Sequence, residues 1–421
     1  MQMKRFWKNR RGAVAPMFGL LAVPLIVAAG AAIDYSQAGA TRVAFQNALD
    51  ATALMLSKTA PTESAADLQT QATAFFNAQF SRPGVTNPTV TATYSTSNGS
   101  QIVLAGSATL QTYFFGTDVN ITASATSAWG NTRLRVALVL DNTGSMASSG
   151  KMNALKTASQ NLLTSLKAAA MVPEDVYVSI IPFNKDVNAD PTNVGASWLR
   201  WDLWEAVNGT CSNTTYHSQS SCLSHSKTWT PNNHSTWNGC VTDRDQNFDS
   251  TNDAPVAGST LYPTEQYSSC PVSLMGLSND WTALSDKITA MTPVGNTNQA
   301  IGLQMGWQSL TAAPFTVPAQ DPNYQYSQVI ILLTDGLNTQ DRWYSSASSI
   351  DARQQKTCDN LKTAGITVYT VQVNTGNDPT STLLQHCASD SSKFFLLTSS
   401  TEIVTTFGQI GTALTNLRLA M

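Results

Sequence analysis

The sequence predicts an α/β domain built on a doubly wound, mostly parallel sheet, preceded by an N-terminal transmembrane helix, a helical stalk and a small β-rich module. Three observations carry this prediction. After residue 131, apolar strand-like runs alternate with amphipathic helices, the pattern of a parallel sheet covered on both faces. Near the start, Gly12 to Ile33 is 22 residues without a charge. Between these regions, from Thr89 to Trp129, the apolar period falls to two, as in half-buried strands.

The uncharged run sets the topology. As a helix it spans about 33 Å, enough for a hydrocarbon core of about 30 Å. Lys4, Arg5, Lys8, Arg10 and Arg11 precede it, and Asp34 is the first charge after it. The positive-inside rule then keeps the N-terminus cytoplasmic and exports the remaining chain, in a single-pass membrane protein. Pro24 is expected to kink the helix without ending it. The basic start and the small residues Ala29-Gly30-Ala31-Ala32 also suit a cleavable signal peptide, although the run exceeds a usual apolar region of roughly 7–15 residues. Composition fits export: only 12% of residues are charged, with Ser, Thr and Asn filling their place. A net charge of −3, with the cations massed against the apolar run, excludes a general nucleic-acid binder.

Residues 1–33 are thus the basic tip and transmembrane helix, 34–130 the stalk and β-rich module, and 131–421 the main domain. In the stalk, Val43, Leu49 and Leu56 recur at spacings of six and seven. The small residues of Gln46–Leu54 suit either a plain amphipathic stalk or close packing on another helix. Pro61-Thr62-Glu63-Ser64 opens a second helix to about Phe80, with Leu68, Ala72, Phe75 and Phe76 on one side. Strands follow at Val90–Tyr94, at Ile102–Leu104 after a Ser97-Asn98-Gly99-Ser100 turn, and at Val119–Ala123.

In the main domain, strands are predicted at Arg133–Leu140, Val176–Ile181, Val329–Leu333, Ile366–Val373 and Phe394–Leu397. Helices are predicted at Lys151–Ala170, Asp351–Ala364 and Glu402–Leu417. From about 185 to 280 this rhythm stops. Trp198, Trp201, Trp204, Trp229 and Trp237 lie there with Cys211, Cys222, Cys240 and Cys270, implying an insertion stapled by disulfides and packed on its own tryptophans rather than a bare loop. Exposed tryptophans would instead offer a partner surface. Six cysteines in an exported body read as up to three disulfides. Proximity pairs Cys358 with Cys387, while the other four allow three connectivities. The interleaved His217, His225 and His234, with the step Cys222-Leu223-Ser224-His225, leave zinc as an alternative.

The chemistry lies in three loops. Asp141-Asn142-Thr143-Gly144-Ser145 follows the first strand, Gly295-Asn296-Thr297-Asn298 precedes a helix beginning near Gln299, and Thr334-Asp335-Gly336 follows the Val329–Leu333 strand. In an open α/β sheet, loops at the carboxyl ends of strands gather along one edge, where ligands bind. Asp141, Thr143, Ser145, Thr297 and Asp335 then converge as hard oxygen donors, suited to a divalent cation: Mg²⁺ first, with Mn²⁺ or Ca²⁺ as alternatives. Gly144–Met152 imitates a P-loop, but it has five residues between its glycines and Met after Lys151, so nucleotide binding is not expected.

These loops resemble the metal-ion-dependent adhesion site (MIDAS) of von Willebrand factor A (vWA) domains. Asp141, Thr143 and Ser145 match its Asp-x-Ser-x-Ser loop, with Thr replacing the first Ser; Thr297 matches its threonine loop and Asp335 its later aspartate. The resemblance implies a vWA fold after Arg133, and a metal whose open position takes a partner carboxylate. A second resemblance covers residues 11–57. Arg11-Gly12-Ala13-Val14-Ala15-Pro16, the apolar span, Asp34-Tyr35 and the Gln46–Leu54 string are similar to TadG-like proteins of Tad (Flp) pilus assembly. Met17 stands where prepilins carry Glu, five residues beyond Gly12.

Together the resemblances imply a membrane-anchored, non-enzymatic assembly or adhesion protein whose partner is another Tad pilus component or a surface ligand. A metal-dependent hydrolase and a structural pilus-base component are the alternatives. No His accompanies the three loops, and no nucleophile–base pair can be assigned.

Overall fold

The computed structural model describes residues 14–419 except 61–62, 97–99, 130–131, 323 and 377. The basic tip, the first residues of the predicted span, Pro61-Thr62 and the Ser97-Asn98-Gly99 turn lie outside the described residues. The chain divides into two compact units, one ending at Asn131 and the other beginning at Thr132.

In the first unit a single helix, α1 (Val14–Leu56), carries the apolar run and continues past it, with Pro24 inside. It is long and apolar enough to cross a membrane, with a mean hydropathy of 2.0 over its most apolar window. Leu20, Leu21, Val23, Leu25 and Ile26 are exposed, the arrangement expected of residues that face lipid rather than a protein core. Helix α2 (Ala65–Gln79) starts where Ser64 accepts a hydrogen bond from the Asp67 amide, an N-cap that the polar run before Leu68 supplies. Strands β1 (Val85–Ser95), β2 (Ser100–Gln111) and β3 (Asp118–Trp129) form an antiparallel sheet in that order.

The second half of α1 is not a free stalk. Phe45, Ala48, Leu49, Ala53 and Leu56 are buried with Leu68, Ala72 and Phe76 of α2 and with Ile102, Leu104, Leu110 and Ile121 of the sheet. The small residues of Gln46–Leu54 therefore permit close approach to this unit's own helix and sheet. Phe45 sits edge-on to Phe76 and Phe80 at 5.2 and 5.0 Å. A Cβ at Gly106 would come within 2.9 Å of its ring. Val43, placed on the apolar side by spacing, is 61% exposed; Phe45 takes the buried position instead.

The second unit is built on β4 (Thr132–Asp141), β5 (Val176–Phe183), β6 (Gln325–Thr334), β7 (Thr367–Val373) and β8 (Phe394–Leu397). These lie parallel in the order β5-β4-β6-β7-β8. The short antiparallel strands Val187–Asn188 and Cys240–Val241 extend the β5 side, and Met275–Ser278 also pairs with β5. The longer helices are α3 (Lys151–Ala169), α4 (Trp281–Ala290), α5 (Gln299–Thr311), α6 (Ala347–Thr363) and α7 (Thr401–Leu419).

Alternation along β4 divides the core. Leu134, Val136, Leu138 and Leu140 pack with Leu155, Leu162 and Leu166 of α3, Leu284 and Ile288 of α4, and Phe407 and Leu414 of α7. Ala137 and Val139 face the other way, toward Ile301, Leu303 and Met305 of α5 and Leu361 of α6. Gly302 and Gly306 let α5 lie close: a Cβ would come within 2.8 Å of Phe183 and 2.6 Å of Val139. The chain is thus an α/β fold with both faces of a mostly parallel sheet covered.

The segment between β5 and α4 is compact rather than loose. Trp204 and Trp237 are buried in the α5-side core, and Trp201 stacks edge-on against both at 5.6 and 5.5 Å. Disulfides join Cys211 to Cys222 and Cys240 to Cys270, which selects one of the three open connectivities, and Cys358 pairs with Cys387. All six cysteines are consumed in disulfides. Buried Arg244 donates to the carbonyls of Thr251, Asp253 and Thr260, and Arg353 of α6 pairs with buried Asp249. The tryptophans therefore serve packing.

Candidate metal site

Strand β4 ends at Asp141 and its parallel neighbour β6 at Thr334, in a register that pairs Leu140 with Leu333. The two loops that follow thus leave the same edge side by side. Asp141 is fully buried, and its carboxylate accepts from its own loop and from β6. Oδ1 takes the Thr143 amide at 2.8 Å and Oδ2 the Thr334 hydroxyl at 2.7 Å. Ser145 Oγ donates to Asp335 Oδ1 at 2.6 Å, and Thr143 Oγ1 lies 3.0 Å from Ser145 Oγ. Four of the five sequence-selected residues are thereby linked through one run of contacts.

Thr297 enters by its backbone. The Gly144 amide donates to the Gly295 carbonyl at 3.0 Å, and the Val294 amide to the Asn142 carbonyl at 2.8 Å, which holds the threonine loop against the first loop. The Thr297 amide donates to Thr339 Oγ1 at 2.8 Å, and Asn298 caps α5 by accepting from the Ile301 amide. Among the described residues, no hydrogen bond joins the Thr297 hydroxyl to the other four donors.

Two further residues belong to the constellation. Thr334 holds Asp141 across the strand pair; its signal was a hydroxyl closing an otherwise apolar strand. Lys151, the first residue of α3, is 5% exposed, and its ammonium group is ion-paired with Asp335 Oδ2. A cation in the first turn of a helix opposes the helix dipole, and that misfit was the available signal.

The electrostatics follow from burial. Desolvation, then the neighbouring Asp335 charge, push the Asp141 carboxyl up to about 6. The site holds two carboxylates and two linked hydroxyls with one ammonium as counter-charge. Among the described residues, no group of three or more His, Cys, Asp or Glu could hold a metal, so a cation here relies on the hydroxyls and on water. Hard oxygens of this kind fit a small divalent cation. The site opens to solvent at Gly144 and Ser145, which are exposed, while Leu337, Trp343 and Tyr344 stand exposed on the loop after Asp335.

A second set of buried acids lies beside the threonine loop. Asp243 accepts from Asn298 Nδ2 at 2.8 Å and from the Arg342 amide at 3.1 Å, and burial pushes its carboxyl up to about 7. Burial likewise raises Asp186, against the attraction of Lys185, which also pairs with Glu265. No local pattern marks this set, because its members are scattered through the aperiodic segment.

Comparison with known proteins agrees with this architecture. Residues 12–55 match the family described as putative Flp pilus-assembly TadE/G-like, and residues 262–409 match the von Willebrand factor type A domain. The second match includes Thr297 and Asp335, and the Asp141 loop precedes it. No curated protein matches the chain.

Among solved structures, the pilus adhesin SpaC from Lactobacillus rhamnosus GG is 13% identical with a TM-score of 0.40. The match covers 80% of this chain but only 36% of that adhesin. The vWF domain of the type V pili tip protein Mfa5 from Porphyromonas gingivalis is 11% identical with a TM-score of 0.39, over 69% of this chain and 97% of that one. Proximal thread matrix protein 1 from the mussel byssus, in a structure with a zinc-occupied MIDAS motif, is 13% identical with a TM-score of 0.35, over 68% and 46%. The chain joins a TadE/G-like N-terminal segment to a von Willebrand factor type A domain.

Proposed function

We propose that this protein is a membrane-anchored component of Tad pilus assembly or adhesion that captures a protein partner through a divalent cation. Asp141, Thr143, Ser145, Thr297 and Asp335 hold the cation, Mg²⁺ in the first instance. In this reading α1 crosses the inner membrane with its N-terminus cytoplasmic, residues 34–130 connect it to the vWA domain, and that domain occupies 131–421 on the periplasmic side. The bound cation supplies a Lewis-acidic position for a carboxylate of the partner.

The observation that carries the reading is the linked set Asp141–Thr143–Ser145–Asp335 at the open edge of a parallel sheet. The exposed Leu337, Trp343 and Tyr344 beside it add the aromatic surface that protein interfaces favour. Binding is favoured over catalysis because the exposed hydroxyl, Ser145, is engaged with the Asp335 carboxylate, itself ion-paired with Lys151, and no His accompanies the three loops to activate a nucleophile.

The test is partner capture from solubilised membranes by the full chain, with Mg²⁺ or with EDTA, and by Asp141→Ala. The reading expects partners recovered only by the wild-type chain with Mg²⁺. Equal recovery in all three conditions contradicts it.

A further inference from the structure

The connection between β2 and β3 carries three consecutive aromatics, Tyr113-Phe114-Phe115, that are 64%, 47% and 47% exposed. A hairpin tip this apolar is anomalous on a soluble module, where turns take Gly, Asn, Asp and Ser. Its position on α1 explains it. The Phe114 and Phe115 amides donate to the two Asp34 carboxylate oxygens at 2.9 and 3.0 Å, and the Tyr113 amide donates to Gln37 Oε1 at 3.1 Å. The tip is therefore clamped to the first charged residue beyond the apolar run.

The Phe114 ring reaches further back along the helix. It lies over Gly30, where a Cβ would come within 2.2 Å of it, so glycine is what admits the ring. Gly30 is four residues before Asp34, or about 6 Å along the helix axis toward the apolar end. Phe115 packs edge-on to Phe114 at 5.0 Å, and Tyr35, 84% exposed, stands at the same level on α1.

We infer that Tyr113-Phe114-Phe115 is a membrane-interface anchor, inserting with Tyr35 into the headgroup and upper acyl region of the leaflet where α1 leaves the bilayer. This rests on the reading of α1 as a membrane span. The partner is the lipid surface itself. The tip is continuous with the apolar face of the span, its depth of about 6 Å below the first charge matches the roughly 5–10 Å of interfacial apolar groups, and aromatics gather at that level in membrane proteins. Asp34 and Gln37 together accept from the amides of all three aromatics, so these do not present unpaired donors toward the lipid. The anchor fixes the β-rich module against the bilayer surface, a second attachment beside the helix.

The test is site-directed spin labelling of the full chain in phospholipid vesicles. No cysteine is free among the described residues, so an introduced one takes the label. Labels are placed singly by Phe115→Cys, Ile33→Cys and Thr93→Cys, and collisions with oxygen and with a water-soluble nickel chelate are measured. The inference expects the 115 label to be oxygen-rich and shielded from nickel at least about fivefold relative to the 93 label at the far end of the sheet. An aqueous profile at 115, with the 33 label shielded, overturns the anchor while leaving the span intact. An aqueous profile at 33 overturns the span and the anchor together.

Discussion

The parallel-sheet frame of the second unit and the segment between β5 and α4 are held together by different physics. The frame is apolar: its central strands are buried on both faces among Leu, Ile and Val from flanking helices. The connecting segment has short strands and turns of 3-10 helix, and relies on two disulfides, buried ion pairs and arginine-capped carbonyls. Apolar burial is non-directional and spreads its stabilisation over many residues. Cross-links and buried polar pairs concentrate it in a few. The candidate metal loops sit where the two regimes meet, with Asp141 and Asp335 at the edge of the frame and Asn298, next to Thr297, bonded to Asp243 of the connecting segment.

The largest effect expected from this contrast is in the frame. Leu138→Ala removes a fully buried side chain between β4 and the α3–α7 layer, and should cost about 2–5 kcal/mol. Denaturant unfolding of the full chain in detergent should show the loss across the whole second unit. A local effect only would break the comparison.

Next, replacing Cys240 and Cys270 together by Ser opens a link with a sequence separation of 30, and should cost about 2–4 kcal/mol. Hydrogen exchange should accelerate from Val187 to Cys270 while amides of β4 and β6 stay protected. Equal acceleration in both regions would show that the connecting segment and the frame unfold as one.

Lys151→Met sharpens the view of where the regimes meet. Removing the ammonium that neutralises Asp335 should raise divalent-cation affinity about tenfold, a shift of about 1.4 kcal/mol. Calorimetry that found weaker binding would mean Lys151 organises the site rather than competes for it.

The buried acid beside the threonine loop adds a pH dependence. Asp243 titrates near 3.8 in the unfolded chain and at about 7 when folded. Between these values only the unfolded state releases the proton, so this group's contribution to stability falls as pH rises from about 4 to 7 and is flat above. Asp243→Asn should flatten that part of the melting curve, followed by tryptophan fluorescence from pH 4 to 8. An unchanged pH profile would show that the buried acid is not protonated in the fold.

Much of this was legible in the sequence for a physical reason. Strands buried on both faces must be continuously apolar, so β4 and β6 announce themselves, and the acids at their carboxyl ends, Asp141 closing β4 and Asp335 just after β6, are marked by contrast. Helix α4 was missed because its Trp281, Leu284 and Ile288 follow directly on an aperiodic stretch, although Asp280 caps it by accepting from the Thr282 and Ala283 amides. Val43 was misplaced because spacings of six and seven do not distinguish neighbouring faces of a helix, and the neighbouring Phe45 faces the core. Disulfide connectivity and the buried acids near Thr297 depend on contacts distant in sequence, which no local period encodes.

The most direct test of the central claim is titration calorimetry of the full chain with Mg²⁺ near neutral pH, beside Asp141→Ala and a distant control, Asp67→Ala. One equivalent of Mg²⁺ bound by the wild type and by the control, and none by Asp141→Ala, is the predicted result. No binding by the wild type, or equal binding by all three, would contradict a cation site at the end of β4.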